Sequence, residues 1–209
     1  MEVHPPDHPI RNVRDFLLHL LTITVGLLIA LGLEGLVEKV HNRHLLHTAE
    51  ADLRVEIREN RKSLAEDEQH LNLTEQHIEA ALDILDAVRA HKSNGGDITP
   101  HWEWDDVQST AWDTAHNTGA IALMPYDSAQ AYALIYGQQE AVNAEATLYI
   151  RDIYRITAPL HGSRSLADVP ADEIDAMIAN SQQALADLRL LRDLSLSLDR
   201  IYERSGSEL

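Results

Sequence analysis

The chain has no cysteine, which excludes a disulfide framework, a thiol nucleophile and a thiolate metal site, and leaves the redox compartment unmarked. Aromatic residues are scarce, 5% with a single Phe, and that scarcity speaks against a strand-rich fold. Basic residues are few as well. Seventeen Lys and Arg stand against 34 Asp and Glu for a net charge of -17, which repels phosphate backbones and anionic headgroups, so nucleic acid is not an expected partner. Neither Gly nor Pro occurs between Gly35 and Gly95, a gap that only a very long helix uses well. At 209 residues there is room for one ordinary domain beside a membrane anchor.

The longest apolar run is FLLHLLTITVGLLIALGL, residues 16–33, whose only strongly polar side chain is His19, with Leu36 and Val37 extending it past Glu34. It is long enough to cross a bilayer. A cleaved signal peptide would have a shorter apolar core and a small-x-small cleavage site, whereas here an amphipathic pattern follows directly, so an uncleaved anchor is expected. Arg11 and Arg14 before the span balance Lys39 and Arg43 after it. The free amino group tips the balance toward a cytoplasmic N-terminus, which places the C-terminal domain in the periplasm of a bacterial inner-membrane protein. The expected division is a tail (1–15), a transmembrane helix (16–37) and an extramembrane helical domain (38–209).

Beyond the span the expected fold is all-α, an antiparallel, coiled-coil-like bundle continuing from the transmembrane helix. In the stretch 34–92, Ile57, Leu64, Leu71, Ile78 and Leu85 recur every seven residues, with Leu53, Ala81, Leu82 and Val88 beside them. Ser93-Asn94-Gly95-Gly96 ends that helix. A short helix is expected over 104–117, with Trp104, Val107, Ala111 and Ala115 on one face. Asp127 or Ser128 reads as the N-cap of a helix reaching about 158, with a seam of Tyr132, Ile135, Gln139, Val142, Ala146, Tyr149, Ile153 and Ile156. Pro170 or Asp172 opens the last helix, seamed by Ile174, Met177, Ser181, Ala184, Leu188, Leu191, Ser195, Leu198 and Tyr202. The first helix would reach roughly 88 Å against roughly 50 Å for each of the others. Its membrane-proximal part, where Leu45, Leu46 and Leu53 need burial, is therefore expected to take a partner helix or a second copy.

One span ending in Glu34, an immediate amphipathic helix carrying Glu56, Ile57 and Asn60, and a later Trp112, Thr114, Ala115 segment together resemble a widespread group of uncharacterised bacterial single-span membrane proteins. The resemblance implies a bacterial origin and the anchor-plus-helices layout, and it brings no catalytic residue and no ligand.

Candidate chemistry is thin. Glu38, His41, His44 and His47 include a Glu-x-x-His step of the kind found in di-iron bundles, but no second such pair exists, and the expectation is solvated imidazoles with no metal and no other cofactor. Trp102, Trp104 and Trp112 either plug the bundle or, with Leu45, Leu46 and Leu53, mark a partner-binding surface. Within the span His19, Thr22, Gly26, Ala30 and Glu34 fall on one row, the small-residue spacing that lets membrane helices approach closely. No nucleophile elbow, phosphate loop, zinc-protease helix or dinucleotide fingerprint occurs, so an enzyme is not expected. The leading expectation is a membrane-anchored structural or interaction subunit that binds a protein or its own copies. The alternatives are a ligand-sensing helical bundle, or a subunit holding a metal or pigment through histidine.

Overall fold

A computed structural model describes residues 13–93, 95–99, 102–161 and 165–205, all helix, turn or irregular connection with no strand among them. Four α-helices follow one another: α1 (Val13–Arg89), α2 (Thr110–Asn117), α3 (Tyr126–Thr157) and α4 (Ala171–Ser205). Short 3-10 turns occupy Ala120–Leu123, Ala158–Leu160 and Leu166–Asp168. The chain divides into two compact units, Met1–Thr48 and Ala49–Leu209.

The first unit contains the apolar stretch. It is the one helix among the described residues long and apolar enough to cross a membrane, with a window of mean hydropathy 2.4, none of it buried by the chain. Every residue from 13 to 41 is exposed.

In the second unit the heptad seams are the core. All eight seam residues named for α3 and all nine for α4 are buried, and α3 packs against α4. On α1 the seam is alternating: Leu64, Leu71, Ile78 and Leu85 are buried while Ile57 is half-buried. The positions between them in the same three-four pattern are Leu53, Asn60, Asp67, Thr74 and Ala81, also buried. Ion pairs tie α1 to α4 in descending order along α4: Arg61 with Asp199 and Glu203, Glu75 with Arg192 and Arg189, and Arg89 with Asp175.

Of the two glycines after α1, Gly95 is the one its backbone requires. Gly95 has φ +132°, and a Cβ there would meet the Leu166 side chain at 3.0 Å. This close approach lets Ile98 and Leu166 join Leu85, Ile174 and Met177 in one cluster that closes this end of the unit.

Two expectations are corrected. The stretch 104–109 is not helical; α2 begins only at Thr110, because the backbone before it is held extended by side chains of α1 and α3 described below. The N-cap of α3 is Pro125 rather than Asp127 or Ser128, since a Pro with φ -54° and ψ 142° is already shaped to lead into a helix. Asp127 then sits in the first turn, where its charge complements the helix dipole.

Candidate functional site

Residues 102–109 form an extended strap leading into α2, fastened by side chains of α1 and α3. The seam of α1 supplies most of them. Asn60 pairs with Gln108 as one peptide pairs with another in a sheet: its Oδ1 accepts the Gln108 N–H at 2.8 Å and its Nδ2 donates to the Gln108 carbonyl at 2.7 Å. Asn143 of α3 does the same to Val107, at 3.1 and 2.8 Å. Asp67 Oδ1 accepts the Asp105 N–H at 3.1 Å, and His70 Nδ1 lies 3.0 Å from Glu103 Oε2. A carboxamide presents a donor and an acceptor side by side, so one Asn satisfies both backbone groups of a residue with no strand beside it. An extended segment can therefore lie against helices without orphaning its peptides.

Glu56 completes the strap. Its Oε2 accepts the Ala111 N–H at 2.8 Å in the first turn of α2, and its Oε1 accepts the Tyr136 hydroxyl at 2.8 Å. Ser109, the residue before α2, makes no side-chain cap, so the carboxylate of another helix caps α2 instead. Trp112 stacks on Tyr136, centroids 5.0 Å apart and planes inclined by 14°. Burial, with the Glu56 carboxylate next, pushes the Tyr136 hydroxyl far above its ordinary value, so it stays a donor. One turn on, Gln139 Nε2 donates to the Tyr202 hydroxyl at 2.8 Å. The two short motifs at Glu56/Asn60 and Trp112 thus meet in space: the first holds the segment that carries the second.

Asp67 stands apart. Only 3% of it is exposed, and its second oxygen, Oδ2, has no hydrogen-bond partner. Burial, opposed by the bond from the Asp105 N–H, raises its carboxyl from 3.8 to about 6. By contrast Asp152 on α3 receives Arg151 at 2.8 Å and Arg155 at 2.9 Å, and the Arg151 hydrogen bond holds it below the usual carboxylate range.

The other residues singled out from the sequence fall in separate places. Trp104 is buried, while Trp102 is half-buried and meets Tyr154 edge-on at 5.9 Å. Trp112, also half-buried, borders an open groove of about 730 Å³ with Ala133, Gly137 and Ala144 of α3. Leu53 is fully buried by its own unit, so it does not await a partner; Leu45 and Leu46 are half-buried. In the first unit His19, Thr22, Gly26, Ala30 and Glu34 are all exposed, no atom comes within 4 Å of a Cβ placed on Gly26, and the Thr22 hydroxyl is satisfied by the Leu18 carbonyl at 2.9 Å. Glu38, His41, His44 and His47 are exposed, and among the described residues no group of three or more His, Cys, Asp or Glu is placed to hold a metal ion.

Asn60 and Asp67 had a signal that sequence reading missed, whereas Asn143 had none. Stepping by seven from Leu53 to Ala81 passes through Asn60, Asp67 and Thr74, polar residues at seam positions where a plain coiled coil would be apolar. Compared with protein-family models, curated proteins and solved structures, the chain matches none, and the resemblance to bacterial single-span proteins rests on the short motifs themselves.

Proposed function

We propose that the protein is a single-span subunit of a bacterial inner membrane whose helical domain, an antiparallel bundle of α1 with α3 and α4 on the periplasmic side, binds a protein partner or its own copies. The observation that carries this reading is where the chain leaves apolar surface uncovered. Residues 13–41 are exposed throughout, and each large aliphatic side chain left in water forgoes about 1.5–3 kcal/mol that a bilayer would return. The descending ion pairs between α1 and α4 support the antiparallel bundle. The groove beside Trp112, floored by Ala133, Gly137 and Ala144, supports a partner that approaches α3 closely. Meanwhile Glu56, Asn60, Asn143 and one oxygen of Asp67 are engaged in fastening the chain to itself. The row His19, Thr22, Gly26, Ala30, Glu34 is the proposed association face within the span.

The absence of native cysteine makes a single-cysteine series clean. Substitutions at Leu45, Leu46, Ala133, Gly137 and Ala144, and at Gly26 and Ala30 against Leu27 and Leu31, would be treated in intact cells with a membrane-impermeant maleimide or an oxidant. The proposal expects the domain positions to react from the periplasmic side, and to react faster after purification in detergent than in native membranes. It also expects disulfide dimers at Gly26 and Ala30 in excess of those at Leu27 and Leu31 if the partner is a second copy. Equal reactivity before and after purification, with no preference in the span, would sink the interaction reading.

A further inference from the structure

The outer face of α3 carries a row that its own unit leaves open: Ala133, Gly137, Glu140, Ala144 and Thr147, in steps of four and three, all exposed. This row floors the open groove of about 730 Å³ that Trp112 and Asp113 of α2 border on the other side. From Ala133 to Thr147 the floor runs roughly 21 Å, the length of a helix of about fourteen residues.

A glycine stands near the middle of that floor. Gly137 is the only glycine inside α2, α3 or α4, and after proline glycine is the least favourable residue in a helix interior. Nothing within the chain asks for it. Its φ is not left-handed, and a Cβ placed on it would meet no atom within 4 Å. A side chain whose absence makes no room for the chain itself makes room for something outside it. With Ala133 one turn before and Ala144 two turns after, that room suits the close approach of another helix.

Charge says what the incoming helix carries. Asp113 and Glu140 line the groove, and no Lys, Arg or His does. Glu140, at the centre of the row, makes no hydrogen bond or ion pair among the described residues, and Asp113 accepts only the Ser109 hydroxyl, at 3.3 Å. The helix that fits brings cations to these two carboxylates and apolar side chains to the small floor and to the Trp112 ring, which its stacking on Tyr136 holds in place. A second copy does not answer this. Two such rows laid together set Glu140 against its own counterpart, in chains of net charge -17 each, and like charges repel.

We infer, resting on the interaction role proposed above, that the groove between α2 and α3 receives a basic amphipathic helix of a protein partner, its apolar stripe on Ala133, Gly137 and Ala144 and its Lys or Arg side chains on Asp113 and Glu140.

The test uses the full chain in nanodiscs of zwitterionic lipid with ¹⁵N-labelled tryptophan, and two helix-stapled peptides of about fourteen residues that share one Leu stripe, flanked by Lys in one and by Glu in the other. The Lys peptide should shift the Trp112 indole resonance saturably, while that of the buried Trp104 stays in place. Gly137→Leu fills the groove at a position where a Cβ meets nothing, so it should weaken binding by about tenfold or more while the thermal midpoint holds or rises. Asp113→Asn with Glu140→Gln should weaken binding about two- to tenfold. Glu59→Gln with Asp193→Asn, two exposed acids away from the groove, should leave it unchanged. The inference is overturned if the Lys peptide at millimolar concentration leaves the Trp112 resonance unmoved, if the Glu peptide binds as well, if Gly137→Leu has no effect, or if the two pairs of acids count equally. Thiols at Ala133, Gly137 and Ala144 that are shielded in native membranes, in a chain that ignores the Lys peptide, overturn the inference and leave the interaction role standing. Purified chains that cross-link through those thiols do the same, with a second copy in the groove. Thiols equally reactive before and after purification remove the role, and the inference with it.

Discussion

The seam between α3 and α4 is buried, the strap over α1 lies largely at the surface with only Trp104 and Val107 of it buried, and the two are held by opposite means. In the seam Leu188, Leu191 and Leu198 of α4 and Tyr132, Ile135 and Tyr149 of α3 all lie at essentially zero exposure, and the attraction is non-directional burial of apolar area. In the strap the contacts are directional: Asn60 and Asn143 each clasp one residue at both its N–H and its carbonyl, and Asp67 and Glu56 each accept a single N–H. The seam tolerates small shifts and loses stability in proportion to volume removed. The strap has one geometry, and losing a partner leaves a part-buried peptide group without the side chain that fixes it.

The comparison is sharpest where the loss is largest. Leu188 is fully buried in the middle of α4, so Leu188→Ala should remove about 2–5 kcal/mol of stability through lost burial and a residual cavity. Thermal unfolding of the full chain in mild detergent, followed at the helical circular-dichroism bands, reads this directly. A loss under about 1 kcal/mol would mean that α3 and α4 close around the gap, and the seam would then be softer than its packing implies.

The difference in mechanism also decides what could be read from the sequence. The α3 and α4 seams were legible to the last residue, since an apolar stripe with three-four spacing reports its own burial without reference to a partner. The end of α1 was placed a few residues late: the helix already stops at Arg89, where His91 takes φ +55° and the N–H groups of His91 and Lys92 bond back to the Val88 and Ala87 carbonyls, so the expected breaker Ser93–Gly96 only follows it. The strap was misread as helix because Trp104, Val107, Ala111 and Ala115 have helical spacing, and nothing local reveals that Asn60 and Asn143 draw the backbone into an extended form. Likewise the polar seam positions Asn60, Asp67 and Thr74 were visible as residues but not as fastenings, because a hydrogen bond is specified by its partner.

A second test breaks the strap alone. Asn60→Ala removes both bonds to Gln108, an exposed residue whose part-buried peptide groups then turn to water, at about 0.5–1.5 kcal/mol for each bond. The loss should be local. Amide hydrogen exchange at Val107, Gln108 and Ala111 should accelerate while the amides of Leu188 and Leu191 keep their protection. If exchange rises equally in the α4 seam, strap and seam unfold as one unit and the contrast between them is energetic only. If exchange stays unchanged at Gln108, the clasp is dispensable.

The smallest effect should come from Asp67, and it carries a sign that the seam cannot imitate. Burial raises this carboxyl from 3.8 to about 6, so over that interval the folded chain binds a proton that the unfolded chain has released. Stability from this group is fully present below about pH 3.8 and is lost as pH rises through about 6, the reverse of an aspartate held in an ion pair. The displacement of roughly two units corresponds to at most about 3 kcal/mol, and closer to 1–2 kcal/mol once the partial solvation of a carboxylate beside a surface strap is allowed for. Asp67→Asn keeps an oxygen for the Asp105 N–H and never ionises. The variant should therefore be more stable than the parent at pH 8 by about 1–2 kcal/mol, with the advantage gone at pH 4. Urea midpoints of the two chains at both pH values, taken as differences, cancel every other titrating group. An Asn variant less stable by the same amount at both pH values would mean that the ionised carboxylate is what holds Asp105, and that the strap is fastened by charge rather than by a buried neutral acid.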